Sequence, residues 1–220
     1  MKVSIHQPNY FPYYGYFHKI KNCNIFVFLD NVTFSNNSYI NRNRIKTQKG
    51  LTWLTVPVVK TNILKTSIKD ISISNISDWA TKHWNIIDNS YNKSKYFQIY
   101  KNFFRSVYDK KWENLCDLNV YTVQKICEIL NIDTNFIRAS ELNVKGSGSD
   151  IILNICKELN ADIYFSGISG KSYLNELDFK KNNIQIIYQN FEHPVYPQLF
   201  GQFISNLSII DVIFNIEDIF

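Results

Sequence analysis

Four histidines and four cysteines are all that this chain of 220 residues offers for metal or thiol chemistry. The cysteines make no CxxC pair, and no HxxxH or HExxH spacing occurs, so a metal site is not expected. Cys23, Cys116, Cys127 and Cys156 lie in apolar or helical stretches and read as buried free thiols. No apolar run approaches the roughly twenty residues that cross a bilayer. Lys2 is followed by only three residues before His6 and a proline, so no signal peptide is expected and the cytoplasm is the expected location. Internal repeats, low-complexity tracts and a GxSxG elbow are also missing.

What is present is a globular composition, 45% hydrophobic and 20% charged, in a length that buries one good core. Fourteen Tyr and sixteen Phe exceed what such a core needs, which predicts an aromatic-lined pocket or interface. The net charge of +5 is mild and reads as spread along the chain. Nucleic-acid binders concentrate basic residues, so a nucleic-acid partner is not expected, whereas an anionic small molecule fits.

The first thirty residues are the most informative. Val3-Ser4-Ile5 is a short apolar strand ended by Pro8 and Pro12, Gly15 to Lys21 suits a helix, and Ile25 to Leu29 is a second apolar run. Continuous apolar strands around a helix indicate a βαβ unit of a parallel sheet, and such sheets bind ligands beyond the carboxyl ends of their strands. His6, Gln7, Asn9, Tyr10, Asp30 and Asn31 stand at that edge.

Asn31 to Gly50 is too polar for a core element. Trp53 to Val58 is a third strand candidate and Ile68 to Ile73 a fourth, at an edge. From Ser77-Asp78, which caps a helix, to Leu130 the apolar spacing is helical. The α/β pattern then resumes: Phe136 to Arg138 as strand, a helix capped by Ser149 or Asp150, Ile163 to Phe165 and Ile184 to Tyr188 as strands, and a docked apolar tail from Leu207 to Phe214. The expectation is one α/β domain over residues 1–220, a mostly parallel sheet with flanking helices and a helical insertion near residues 77–130.

Among chemical candidates, His6 at a strand end suits a general base near neutral pH. Arg42 and Arg44 lie two apart, so in an extended segment both guanidinium groups face one side and can grip a diphosphate. Ser166-Gly167-Ile168-Ser169-Gly170-Lys171-Ser172 follows a strand and allows close backbone approach to a phosphate. It is not a P-loop, because Phe165 holds the position of the first glycine.

Taken together, His6-Gln7-Pro8-Asn9-Tyr10-Phe11-Pro12, Gly15 to Ile20, Phe26 to Asp30, Ile40 to Ile45, Leu54 to Val58, Tyr164 to Gly167 with Gly170 and Tyr173-Leu174, and His193-Pro194 to Val212 resemble the WbqC-like family over essentially the whole chain. Members of that family are found with genes for bacterial O-antigen and other surface glycans. The resemblance implies a sugar-pathway enzyme, with an N-acyltransferase-like transfer of an acyl or aminoacyl group to the amine of a nucleotide-linked amino sugar. His6 would act as base, with Asp30 orienting it or holding the amine. Gln7, Asn9, Ser166 or Gly167 would face the oxyanion, Arg42 and Arg44 the diphosphate, and Tyr10 and Tyr14 a base or sugar. Lys19, Tyr173 and His193 complete the expected binding set. No tightly bound cofactor is expected; the donor would be an acyl-coenzyme A or an acyl carrier protein. The alternatives are an ATP-dependent adenylating or nucleotidyl-transfer enzyme, suggested by a degenerate HxGH-like start in which Tyr16 follows Gly15, and a non-catalytic binding module of the same pathway.

Overall fold

A computed structural model describes residues 1–61 and 63–217. In chain order its main elements are β1 (Lys2–His6), α1 (Tyr14–Lys21), β2 (Ile25–Phe28), β3 (Arg42–Thr47), β4 (Gly50–Thr55), α2 (Trp79–Tyr91), α3 (Phe97–Asp109), α4 (Leu115–Ile129), β5 (Asn135–Arg138), α5 (Gly148–Glu158), β6 (Ile163–Ser166), α6 (Glu176–Lys181), β7 (Gln185–Tyr188) and α7 (Ile209–Asn215).

Five strands form a parallel sheet in the order β5-β2-β1-β6-β7. Both of its faces are covered, which explains the unbroken apolar runs. Val3, Ile5 and Val27 point into a core shared with Ile151, Ile152 and Ile155 of α5 and Phe179 of α6. Phe26 and Phe28 point the other way, into a larger core with Phe17 and Ile20 of α1 and Leu118, Val123 and Ile126 of α4. Ser4, between the apolar Val3 and Ile5, is fully buried and its hydroxyl donates to the Phe165 carbonyl of β6 at 2.7 Å.

The helical middle is α2, α3 and α4, as the spacing predicts, and Asp78 caps α2 by accepting from the Thr81 amide at 3.1 Å. Three expectations need correction. The polar stretch after Asn31 does hold a core element: β3 buries Asn43, Ile45 and Lys46 and pairs antiparallel with β4, so the Trp53 strand belongs to a separate hairpin and not to the parallel sheet. Ile68 to Ile73 is a single 3-10 turn at Ile68–Asp70 followed by isolated bridges, because Ile68, Ile71 and Ile73 all bury together where a strand would alternate. The helix α5 begins at Gly148 after Ser147, so Ser149 and Asp150 lie in its first turn; the Ser149 hydroxyl accepts from the Asn175 amide instead.

Candidate functional site

The strand order reverses direction at the boundary between β1 and β6: the chain builds outward to β2 and β5 on one side, then to β6 and β7 on the other. At such a switch point the loops leaving neighbouring strands diverge and open a crevice beyond the carboxyl ends. A cavity of about 700 Å³ occupies that position. His6 and Gln7 leave β1 into it, Gly167, Ile168 and Ser169 leave β6, and Gln189, Asn190 and Phe191 leave β7. Tyr16 and Lys19 of α1, Gly148 and Ile151 of α5, and Tyr173 complete much of its wall.

Lys19 is the most unusual group there. It is 3% exposed and its ammonium donates to the Ile5 carbonyl at 2.9 Å, with the Phe26 ring 5.9 Å away. Among the described residues no carboxylate pairs with it. Burial without a counter-ion lowers its pKa to about 8. An ammonium carries three donors, so two remain for a ligand.

His6 stands beside it. Its Nδ1 donates to the Gln7 carbonyl at 3.0 Å, which leaves Nε2 as the ring's lone pair, and the Tyr16 ring packs on its edge at 4.8 Å. Burial first, and the Lys19 charge second, lower the His6 pKa to about 3. His6 is therefore a neutral acceptor at physiological pH, weaker as a base than its ordinary value suggests. An anion seated on Lys19 reverses that second cause and raises its basicity.

The wall is held rigidly. Gln189 donates to the Gly15 carbonyl at 2.8 Å and contacts His18 Nδ1 at 3.0 Å. A side chain on Gly15 would collide with the Tyr13 ring and come within 2.9 Å of Phe191, so glycine is required there. One on Gly170 would strike the Ser166 hydroxyl, which donates to the Gly167 carbonyl at 3.0 Å.

The loop between β1 and α1 is fixed from outside the crevice. Phe11 adopts φ +39°, a left-handed conformation that a bulky residue holds only under constraint. The constraint is visible: Asn43 Nδ2 donates to the Phe11 carbonyl at 2.7 Å and the Ser208 hydroxyl to the same oxygen at 2.9 Å. Asn119, fully buried on α4, donates to Pro8 and Ile40 carbonyls at 2.9 and 2.7 Å.

The expected site residues thus divide. His6, Gln7, Lys19, Gly167 and Tyr173 meet at the crevice, with Ser166 immediately behind. Tyr10 has no face for a ligand: it is fully buried, its hydroxyl bonded to His83 at 3.0 Å and Tyr108 at 2.7 Å. Asn9 is buried in the same loop. Asp30 does not orient His6. Its carboxylate accepts from the Ser140 amide at 2.9 Å and hydroxyl at 2.7 Å, tying the end of β2 to the turn after β5, while a backbone carbonyl orients the imidazole. Tyr14 packs edge-on against Phe191 and His193 and lines a second cavity of about 710 Å³. His193 is stacked on Tyr196, with Nδ1 donating to the Pro194 carbonyl. Arg42 and Arg44 share one side of β3, as their spacing predicts, but over Trp53 and outside the crevice.

Tyr16, Gln189, Asn190 and Phe191 escaped the sequence reading. The last three follow the strand predicted at Ile184 to Tyr188, so the carboxyl-end rule applied to that strand reaches them. All four cysteines are buried and free, and burial pushes the Cys116 thiol up to about 12, which makes it a poor nucleophile.

A model of the WbqC-like protein family matches residues 7–218. The uncharacterized protein Rv1507c of Mycobacterium tuberculosis is 31% identical over 217 residues, 98% of this chain and 94% of that one. The protein MGF 360-3L of African swine fever virus is 25% identical over 134 residues, 59% of this chain and 35% of that one. No solved structure matches the chain.

Proposed function

The chain belongs to the WbqC-like protein family, and from that membership and the crevice together we propose a transferase of bacterial surface-glycan assembly. In this reading it moves an acyl or aminoacyl group onto the amine of a nucleotide-linked amino sugar. The observation that carries the proposal is Lys19: a buried ammonium with no carboxylate partner, at the switch point of a parallel sheet, asks for an anion. The diphosphate of a nucleotide sugar supplies one, and the first turn of α5 at Gly148 adds a favourable helix dipole.

The chemistry follows from the neighbours. The amine nitrogen attacks the acyl carbonyl of a thioester, carried by coenzyme A or by an acyl carrier protein. The C–S bond breaks, the sulfur departs as thiolate, and His6 Nε2 takes the proton that the nitrogen sheds. With the anion bound, the Lys19 charge is offset and His6 regains the part of its basicity which that charge had cost, so base and substrate are coupled. Amides near Gly167 and the Gln7 side chain face the developing oxyanion.

The test is thermal shift of the purified chain against nucleotide amino sugars, ATP and acyl-coenzyme A, with and without magnesium. A ligand of the folded state raises the midpoint by mass action. Stabilisation by a nucleotide amino sugar that Lys19→Met abolishes supports the reading. Silence across the panel overturns it and favours a binding module. One observation favours a second reading: the crevice at the reversal of strand order also suits a bare nucleotide. Stabilisation by ATP with magnesium alone, with pyrophosphate release, would select nucleotidyl transfer.

A further inference from the structure

The positive charge is not spread along the chain. From Asn31 to Lys69 there is no Asp or Glu, while Arg42, Arg44, Lys46, Lys49, Lys60, Lys65 and Lys69 all fall there. That leaves 17 of the 24 Lys and Arg against all 19 Asp and Glu in the rest of the chain, so this one segment carries the entire excess. Lys46 is spent internally on the carbonyls of Gly201 and Gln202. Among the described residues none of the seven enters an ion pair.

The β3–β4 hairpin gives that segment a defined face. Its register sets Arg44 opposite Trp53 and Lys46 opposite Leu51, so Arg42, Arg44, Leu51 and Trp53 share one side. The Arg42 and Arg44 guanidinium carbons lie 4.3 and 5.6 Å from the Trp53 ring centre. Both Nε atoms are buried with no acceptor, and only Arg42 is tied down, by the Asn37 carbonyl at 2.6 Å. Yet Tyr39, Leu51 and Trp53 are 45%, 46% and 43% exposed. The face therefore sets two partly exposed guanidinium groups that enter no ion pair among the described residues beside outward apolar groups, with Lys49 exposed at its tip.

We propose that this hairpin face docks the protein on an anionic lipid bilayer, the arginines on headgroup phosphates and Trp53, Tyr39 and Leu51 at the headgroup–acyl boundary. Charge complementarity selects the partner. Basic residues near an anionic leaflet attract it, indole and phenol rings favour the interface, and an aliphatic side chain such as Leu51 gains from acyl chains. A polynucleotide uses the cations and rings but has no apolar interior for Leu51. The proposal is independent of the crevice chemistry.

The experiment is co-sedimentation of the full chain with phosphatidylcholine vesicles and with vesicles that also contain phosphatidylglycerol, at low and high salt. Binding to the anionic vesicles only, weakened by salt, is expected. Each basic group at the surface is worth roughly fivefold in partitioning, so Arg42→Gln with Arg44→Gln should lose more than about tenfold. Lys49→Glu, at a tip where nothing structural depends on the side chain, should lose about as much. Lys82→Gln with Lys157→Gln, the same charge removed from exposed helix positions, should leave binding unchanged. Trp53 emission should shift to the blue on binding, assigned by its loss in Trp53→Phe. Failure to bind anionic vesicles overturns the proposal, as does equal loss in the control pair. So does soluble glycerophosphate or a polynucleotide that titrates the same residues while vesicles do not compete.

Discussion

Replacing Lys19 by Met keeps most of the side-chain volume and removes the charge, and it should stabilise the unliganded protein. A pKa lowered from 10.5 to about 8 corresponds to a charge-burial penalty on the order of 3 kcal/mol at pH 7. Against this stands the hydrogen bond to the Ile5 carbonyl, worth about 1 kcal/mol. The net is a gain of about 2 kcal/mol, or about 4 to 8 °C in midpoint for a domain of this size. The pH dependence has a definite sign. Between about 8 and 10.5 the unfolded lysine holds its proton and the folded one has released it, so the contribution of Lys19 to native stability rises with pH across that window, against the falling contribution of the buried thiols. Lys19→Met lacks that rising contribution and should lose stability more steeply than the wild type there, through its buried thiols. The assay is denaturant unfolding at pH 7, 8, 9 and 10 for both proteins, with nucleotide sugar added in a second series. A variant that is less stable at pH 7, or one that keeps the wild-type slope above pH 8, would refute the idea that the crevice stores an unpaired cation.

Acid should unfold the protein through its neutral histidines. The folded pKa of His6 is lowered to about 3 and that of His83, through burial first, to about 4. The unfolded histidines take up protons near pH 6.5, so stability is full above that value. It falls as pH drops toward 3 to 4, by up to about 1.4 kcal/mol per pH unit per histidine. His83→Gln should shallow that slope in acid denaturation followed by circular dichroism; an unchanged slope would count against it. Gly15→Ala should press Tyr13 and Phe191 apart, destabilise by about 1 to 3 kcal/mol and weaken any crevice ligand; wild-type melting and ligand shift would contradict the packing described. Asn119→Ala leaves two buried carbonyls, those of Pro8 and Ile40, without their donor. It should lose about 2 to 4 kcal/mol in urea unfolding, and a loss under about 0.5 would show that those bonds carry little.

The sheet strands were legible because burial on both faces turns them into unbroken apolar runs, as at Val3-Ser4-Ile5 and Ile25 to Phe28. Helices α2 to α4 were legible because one face of each meets a core. The hairpin was not: β3 alternates Arg, Asn, Arg and Ile, and the buried Asn43 reads as polar although it is spent on the Tyr10 and Phe11 carbonyls. The same blindness divided the site. His6 and Gln7 follow from the βαβ rule, but the same rule names Tyr10, three residues past Gln7, and Asp30, just past β2, and these turn into the protein, toward His83 and Ser140. Residue type and proximity along the chain do not report which way a loop side chain faces; tertiary partners set that, and those partners come from α2 and from the turn after β5.

The pairing of β1 with β6 also sets a timetable. Val3 lies beside Tyr164, and the Met1 carbonyl accepts from the Asp162 and Ile163 amides, so the first strand waits for residues more than 160 positions later. Contacts of such long sequence separation close slowly and leave strand edges open in the meantime. During synthesis β1, α1, β2 and β5 can assemble into a half-sheet whose inner edge is bare. The crevice then comes into being only when β6 docks on β1, and the β1–α1 loop is locked later still, when Ser208 reaches the Phe11 carbonyl. A nascent chain halted before Ile163 holds His6 and Lys19 but has no opposite wall to face them. The capacity to hold a ligand is thus the last property this chain acquires as it folds.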